Sequence, residues 1–149
     1  MKMTWRWFGE SDTVSLQQIA QIPIVKGIVG TLEGKTADDV WTQDDFETLK
    51  QQVKAYGFSL DVIESIPVAE AIKKATSERD HYIDLYCESI RNMGRAGIRV
   101  LCYNFMPVFD WMRTDMVVEL EDGSFVTGYK HHDMLAYDIS AGIEARVAW

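Results

Sequence analysis

The sequence predicts a parallel α/β fold made of successive β/α units, on three observations. Helical stretches ending at glycine alternate with strand-like runs in the order β-α-β-α-β-α-β, and strands separated by helices pair in parallel through right-handed crossovers. The strand runs are apolar, as strands covered on their outer side are. Polar and aromatic side chains crowd in directly after each strand, where such folds gather their functional groups. A small doubly wound sheet and the first half of an eight-strand barrel both satisfy this pattern; the chemistry after the strands suits the half-barrel better.

The elements follow in order. "TWRWFG", Thr4 to Gly9, reads as a short first strand. Ser15 caps a helix through Leu16 and Ile19 that Pro23 stops, and "KGIVGTL" supplies a strand near Ile28 to Leu32. The clearest helix runs from Thr42 to Tyr56. Thr42 caps it, Asp45 three residues on completes a capping box, and Trp41 and Phe46 form a hydrophobic staple. Phe46, Leu49 and Val53 share one face, and Gly57 supplies the left-handed residue past the end. Phe58 to Glu64 is the third strand. Ser77 caps a helix to about Met93 with Ile83, Tyr86, Ile90 and Met93 along its apolar face. "GRAG" ends that helix, and Ile98 to Phe105 is the fourth strand, beginning as a buried run at Val100, Leu101 and Cys102. Two β-rich runs around Glu121-Asp122-Gly123 make Met116 to Gly128 a hairpin excursion beyond the fourth strand. The tail, His131 to Trp149, is helical at first.

Bulk properties narrow the function. The 149 residues fit a single domain with a sizeable core, and 47% hydrophobic residues mark a globular chain. A net charge of -8 with a pI near 4.8 and no basic stripe argues against nucleic acid as a partner. No secretory leader is expected at the N-terminus, and no run approaches the roughly 20 apolar residues needed to span a bilayer. The expectation is a cytoplasmic protein without a membrane partner. Cys87 and Cys102 lack zinc-site spacing and read as two buried thiols. His131 and His132 diverge as neighbours and read as an exposed helix start; His81 reads as a solvated helix residue. Glycine-rich phosphate loops, GxSxG and HExxH are absent from the sequence.

The four strand ends carry Trp5, Arg6 and Trp7; Thr31 and Glu33; Asp61, Glu64 and Ser65; then Tyr103, Asn104 and Phe105, followed by Asp110, Trp111 and Arg113. Hydroxyls of a ligand would take the amide and carboxylates, and a ligand carboxylate would take a bidentate arginine. A polyhydroxylated, anionic small molecule is the ligand that mixture suits. Plainer readings stand beside this one. Trp5 and Trp7 alternate with Arg6 and also read as a core face, and Arg113 as a surface partner of Asp110 or Asp115. Glu64 resists such a reading, because a lone buried carboxylate is costly.

"TWRWFG" at Thr4 to Gly9, "VIESIPVAEAIK" at Val62 to Lys73, "GIRVLCYNFMPVFDWMRTD" at Gly97 to Asp115 and "LEDGS" at Leu120 to Ser124 resemble the N-terminal part of the mannonate dehydratase family. The resemblance implies a (β/α)8 TIM barrel of the xylose-isomerase-like type, with this chain covering about the first four β/α units plus the hairpin. It implies a carbon–oxygen lyase that removes water from D-mannonate to give 2-keto-3-deoxy-D-gluconate in glucuronate breakdown. It also implies a divalent metal, manganese or ferrous iron, whose ligands lie on later strands beyond Trp149, so that none is expected among these residues. Carried over residue by residue, the pocket wall is Trp7, Glu64, Asn104, Trp111 and Arg113, as substrate contacts or as groups that orient them. The chain is then expected to be a single domain, a truncated N-terminal part of the barrel and inactive alone. Its open first and fourth strand edges invite pairing with a second copy. Another metal-dependent sugar isomerase or epimerase, or a non-catalytic sugar-acid-binding module, are the alternatives on the same scaffold.

Overall fold

The computed structural model describes residues 1–106 and 113–136, which divide into two compact units, Met1–Phe105 and the residues from Met106 onward. The first unit holds β1 (Met3–Arg6), α1 (Leu16–Ile19), β2 (Val25–Gly30), α2 (Gln43–Ala55), β3 (Ser59–Glu64), α3 (Glu70–Lys73), α4 (Arg79–Arg95) and β4 (Val100–Cys102). Its strands form one parallel sheet in the order β1-β2-β3-β4. The parallel α/β reading is therefore correct, and β1 and β4 are the sheet edges.

Local sequence explains the best-predicted element. The Thr42 N–H donates to Asp45 Oδ2 at 2.8 Å and the Asp45 N–H donates to Thr42 Oγ1 at 3.2 Å, so both halves of the capping box form. The Trp41 and Phe46 rings meet at 5.7 Å between centroids and are fully buried. Gly57, at φ +85°, ends α2 in the left-handed conformation that only glycine adopts without cost. Phe46, Leu49 and Val53 then enter a core with Ile28, Leu60 and Ile63 from the sheet.

Other boundaries moved. Ser15 caps α1 through a box with Gln18, as expected, but β2 begins at Val25, before the predicted Ile28. Ser77 does not cap α4. A turn from Thr76 to Arg79 leads into the helix instead, the N-cap is Glu78, and the helix runs on to Arg95. A short helix, α3, was not expected. β4 is only Val100–Cys102, because it pairs with β3 alone, through Val62↔Val100, Ile63↔Leu101 and Glu64↔Cys102. The same edge position overturns the buried reading of that run: Val100 is 47% exposed, and Cys102 is exposed while Cys87 is half-buried.

One buried polar junction ties α2 to α4. Ser89 and Asn92 are the buried polar residues of the first unit's core. The Trp41 N–H donates to Ser89 Oγ at 3.0 Å, and the Asn92 amide donates to the Trp41 carbonyl at 3.0 Å. The backbone ahead of the α2 cap is thus held by two side chains of α4, which satisfies groups that would otherwise be orphaned in the core.

In the second unit β5 (Asp115–Glu119) and β6 (Phe125–Gly128) form the predicted antiparallel hairpin. Asp122 accepts from the Ser124 N–H at 2.9 Å within the turn. α5 (His131–Leu135) follows, with His131 and His132 exposed at its start, and His81 is exposed on α4, as expected.

Candidate functional site

The carboxyl ends of the parallel strands present Arg6 from β1, Thr31 and Glu33 beyond β2, Glu64 from β3 and Asn104 beyond β4. Side chains alternate across a strand, and β1 shows what that alternation selects. Trp7 is buried in the core and Trp5 packs against it. Arg6 lies between them and points to the opposite face, where its Nε reaches across β2 to Glu64 Oε2 at 3.7 Å. The core reading of the two tryptophans is the one the structure adopts. Trp7 keeps one link to a cavity: it lines a hollow of about 230 Å³ with Gly9, Glu10, Glu33 and Thr48, on the α2 side of the sheet.

The remaining predicted residues fall in different places. Glu64 ends β3, and its side chain is 43% exposed. It is therefore not the buried carboxylate the sequence suggested; what singles it out is its pairing with Arg6. Asn104 is half-buried, two residues beyond Cys102, which pairs in register with Glu64. Arg113 belongs to the second unit, where its Nε donates to Thr127 Oγ1 at 3.0 Å. Trp111 and Asp110 lie outside the described residues.

The sequence reading placed Arg6 among the strand-end groups but not in the pocket wall, although the Trp-Arg-Trp alternation was the signal that could have put it there. Its guanidinium lies over the Phe8 ring, 4.1 Å from Cζ to the centroid, and Nη1 donates to the Trp7 carbonyl at 2.6 Å. Burial holds its pKa below the usual guanidinium value, and the nearby Glu64 and Asp12 carboxylates offset only part of that. The loop after β1 is itself tied down, since Asp12 accepts from the N–H groups of Phe8 at 2.8 Å and Val14 at 2.9 Å. At the other end of the same sheet face Lys2 pairs with Asp61 at 2.7 Å, again across β2.

A second hollow, about 420 Å³ and mainly apolar, lies along α4 beside the open edge, lined by Val68, Ile72, Ile83, Tyr86, Leu101 and Phe105 among others. The buried Tyr86 hydroxyl has no hydrogen-bond partner among the described residues. Among the described residues, no group of three or more His, Cys, Asp and Glu side chains is arranged to hold a metal ion. No helix there is long and apolar enough to cross a membrane.

Fold and rim together define a class: a parallel β/α protein with charged and aromatic side chains at the carboxyl ends of its strands, the end where such folds gather their functional groups. Comparison with known proteins makes the assignment specific. The family model described as "D-mannonate dehydratase (UxuA)" matches residues 1–147, and the chain belongs to that family. Mannonate dehydratase from Shouchella clausii is 53% identical over 131 residues, 87% of this chain and 37% of the relative. The Bacillus subtilis mannonate dehydratase is 50% identical over 125 residues, 83% of this chain and 35% of its own length. The crystal structure of mannonate dehydratase from Streptococcus suis serotype 2 superposes with a TM-score of 0.86 at 44% identity, over 94% of this chain and 40% of that one. The chain thus spans a little over a third of the length of the relatives it matches.

Proposed function

We propose that this chain forms the N-terminal part of a single (β/α)8 barrel domain of the xylose-isomerase-like type, in a cytoplasmic mannonate dehydratase. That enzyme is a carbon–oxygen lyase that converts D-mannonate to 2-keto-3-deoxy-D-gluconate in glucuronate breakdown. The observation that carries the reading is the family match across residues 1–147. The arrangement on the rim supports it, with Arg6 and Glu64 facing each other at the strand ends and Asn104 beyond the neighbouring strand.

Elimination of water requires loss of the proton next to the carboxylate and departure of the neighbouring hydroxyl. The part assigned to this chain is binding and orientation, because positioning alone supplies a large share of such a barrier. Glu64 and Asn104 offer partners for substrate hydroxyls. Trp111 and Arg113 are proposed as further substrate contacts, while Trp7, buried on the face opposite Glu64, orients β1 from the core side. Manganese or ferrous iron belongs to the proposed whole enzyme. The described residues do not fit such an ion, so its ligands are assigned to the part of the family beyond residue 149. The open β1 and β4 edges support pairing of this chain with a second copy.

Calorimetry of the chain with D-mannonate, with and without Mn2+, tests the reading, together with a turnover assay for the keto acid. Mannonate binding is expected without turnover by the 149 residues alone. Binding of an aldose or ketose in preference to mannonate would instead favour a sugar isomerase or epimerase. Absence of binding by any sugar acid would defeat the assignment.

A further inference from the structure

We propose that Arg6 is the specificity-determining residue for the substrate's carboxylate, a fixed guanidinium that admits sugar acids and rejects neutral sugars of the same length. This rests on the sugar-acid reading above and adds to it a group outside the pocket wall derived from the sequence. Three observations carry it.

The first is placement. Arg6 leaves the end of β1 on the face opposite the buried Trp7 and reaches Glu64, so the pair sits at the carboxyl ends of the strands, where ligands bind in such sheets. The second is rigidity. The guanidinium is held from below by the Phe8 ring at 4.1 Å and along one edge by the Trp7 carbonyl at 2.6 Å. Phe8 is in turn held through its N–H by Asp12 at 2.8 Å. A stacked, edge-anchored guanidinium is already organised for a planar anion.

The third is incomplete use. A guanidinium has five N–H donors, and among the described residues one hydrogen bond, to Trp7, employs them. Glu64 at 3.7 Å lies beyond hydrogen-bond reach, so the two residues do not form a closed bidentate pair. Arg6 is partly buried, with a quarter of its side chain exposed, and nearby carboxylates do not fully compensate its desolvation. A carboxylate accepting two parallel hydrogen bonds from the free donors would supply what is missing. A neutral polyol would not.

The experiment measures binding of the full chain, by calorimetry at neutral pH, to D-mannonate, D-gluconate and the neutral alditol D-mannitol, in wild type and in R6Q and R6K. The expected wild-type preference for acid over alditol is on the order of 100-fold, about two charge-assisted hydrogen bonds. R6Q should bring that ratio close to one while circular dichroism shows a retained fold. R6K should restore part of the preference, since it returns the charge without the fork. An R6Q chain that keeps the full preference overturns the proposal and leaves the sugar-acid reading standing. A wild type that binds gluconate but not mannonate, with the preference lost in R6Q, supports Arg6 and removes mannonate as the substrate. A wild type that binds no sugar acid overturns both. If R6Q unfolds, R6K decides alone: full wild-type preference in the folded R6K chain would overturn the proposal, because an ammonium lacks the bidentate geometry, and a reduced preference would support it.

Discussion

Gly27 is predicted to be the residue that lets β1 and β3 communicate across β2. The Lys2–Asp61 ion pair spans the middle strand, and the path between them passes over Gly27. A Cβ at position 27 would lie 1.7 Å from Asp61 Oδ2, 2.9 Å from its Cγ and 3.1 Å from Lys2 Cε. Asp61 would have to swing aside and release Lys2. The pair itself, 46% and 28% exposed at its two side chains, contributes no more than about 1 kcal/mol. Crowding against a partly buried strand residue adds about 1–3 kcal/mol, offset by about 0.4–1 kcal/mol from the reduced freedom of the unfolded chain. Gly27→Ala should therefore destabilise by about 1–3 kcal/mol in urea unfolding followed by tryptophan fluorescence. The decisive measurement is the same substitution in an Asp61→Ala background. With the obstructing carboxylate gone, the one close contact left is to Lys2 Cε, the end of a flexible side chain that can move aside, and Gly27→Ala should be neutral or stabilising by up to about 1 kcal/mol. An equal cost in both backgrounds would refute the steric argument and place the cost in the backbone.

Four further outcomes follow from the same structure. Thr42→Ala should cost about 1 kcal/mol in thermal unfolding by removing the cap of α2. Burial raises the pKa of the Asp45 carboxyl, but the hydrogen bonds from Thr42 and Lys35 outweigh it and leave it below its usual value. The stabilisation from Asp45 is thus present above roughly pH 4, the unfolded-state value, and lost as pH falls through the folded one. Asp45→Asn should lower stability at pH 7, and the difference should vanish in acid; a constant difference across that range would contradict the sign. Ser89→Ala should cost about 1–3 kcal/mol by leaving the Trp41 N–H buried without an acceptor, whereas Ser89→Thr should retain part of it. Sedimentation velocity should show mass rising with concentration, and Val100→Lys, on the exposed β4 edge, should shift the chain toward monomer with little change in its melt; a monomer at every concentration would refute edge pairing.

What was legible in the sequence was what short-range chemistry decides. α2 was read correctly from Thr42, Asp45 and Gly57 because a capping box and a left-handed stop act within a few residues of the helix they bound. The hairpin was legible from Glu121-Asp122-Gly123 for the same reason. The alternation of Trp5, Arg6 and Trp7 was visible too, but a period of two says only that faces differ and not which face meets the helices.

The tertiary structure decided that. Packing of α2 and α4 against one side of the sheet drew Trp7 into the core and left Arg6 and Glu64 on the other side, two strands apart. Sheet order made β4 an edge, so an apolar run that reads as buried in isolation is exposed at Val100 and Cys102. The clasp of Ser89 and Asn92 on Trp41 joins residues about fifty positions apart. Composition and periodicity determine which segments form helices and strands, because those depend on near neighbours. The partners of Arg6, Asp61 and Ser89 depend on which strands and helices come to lie side by side, and only the assembled chain sets that.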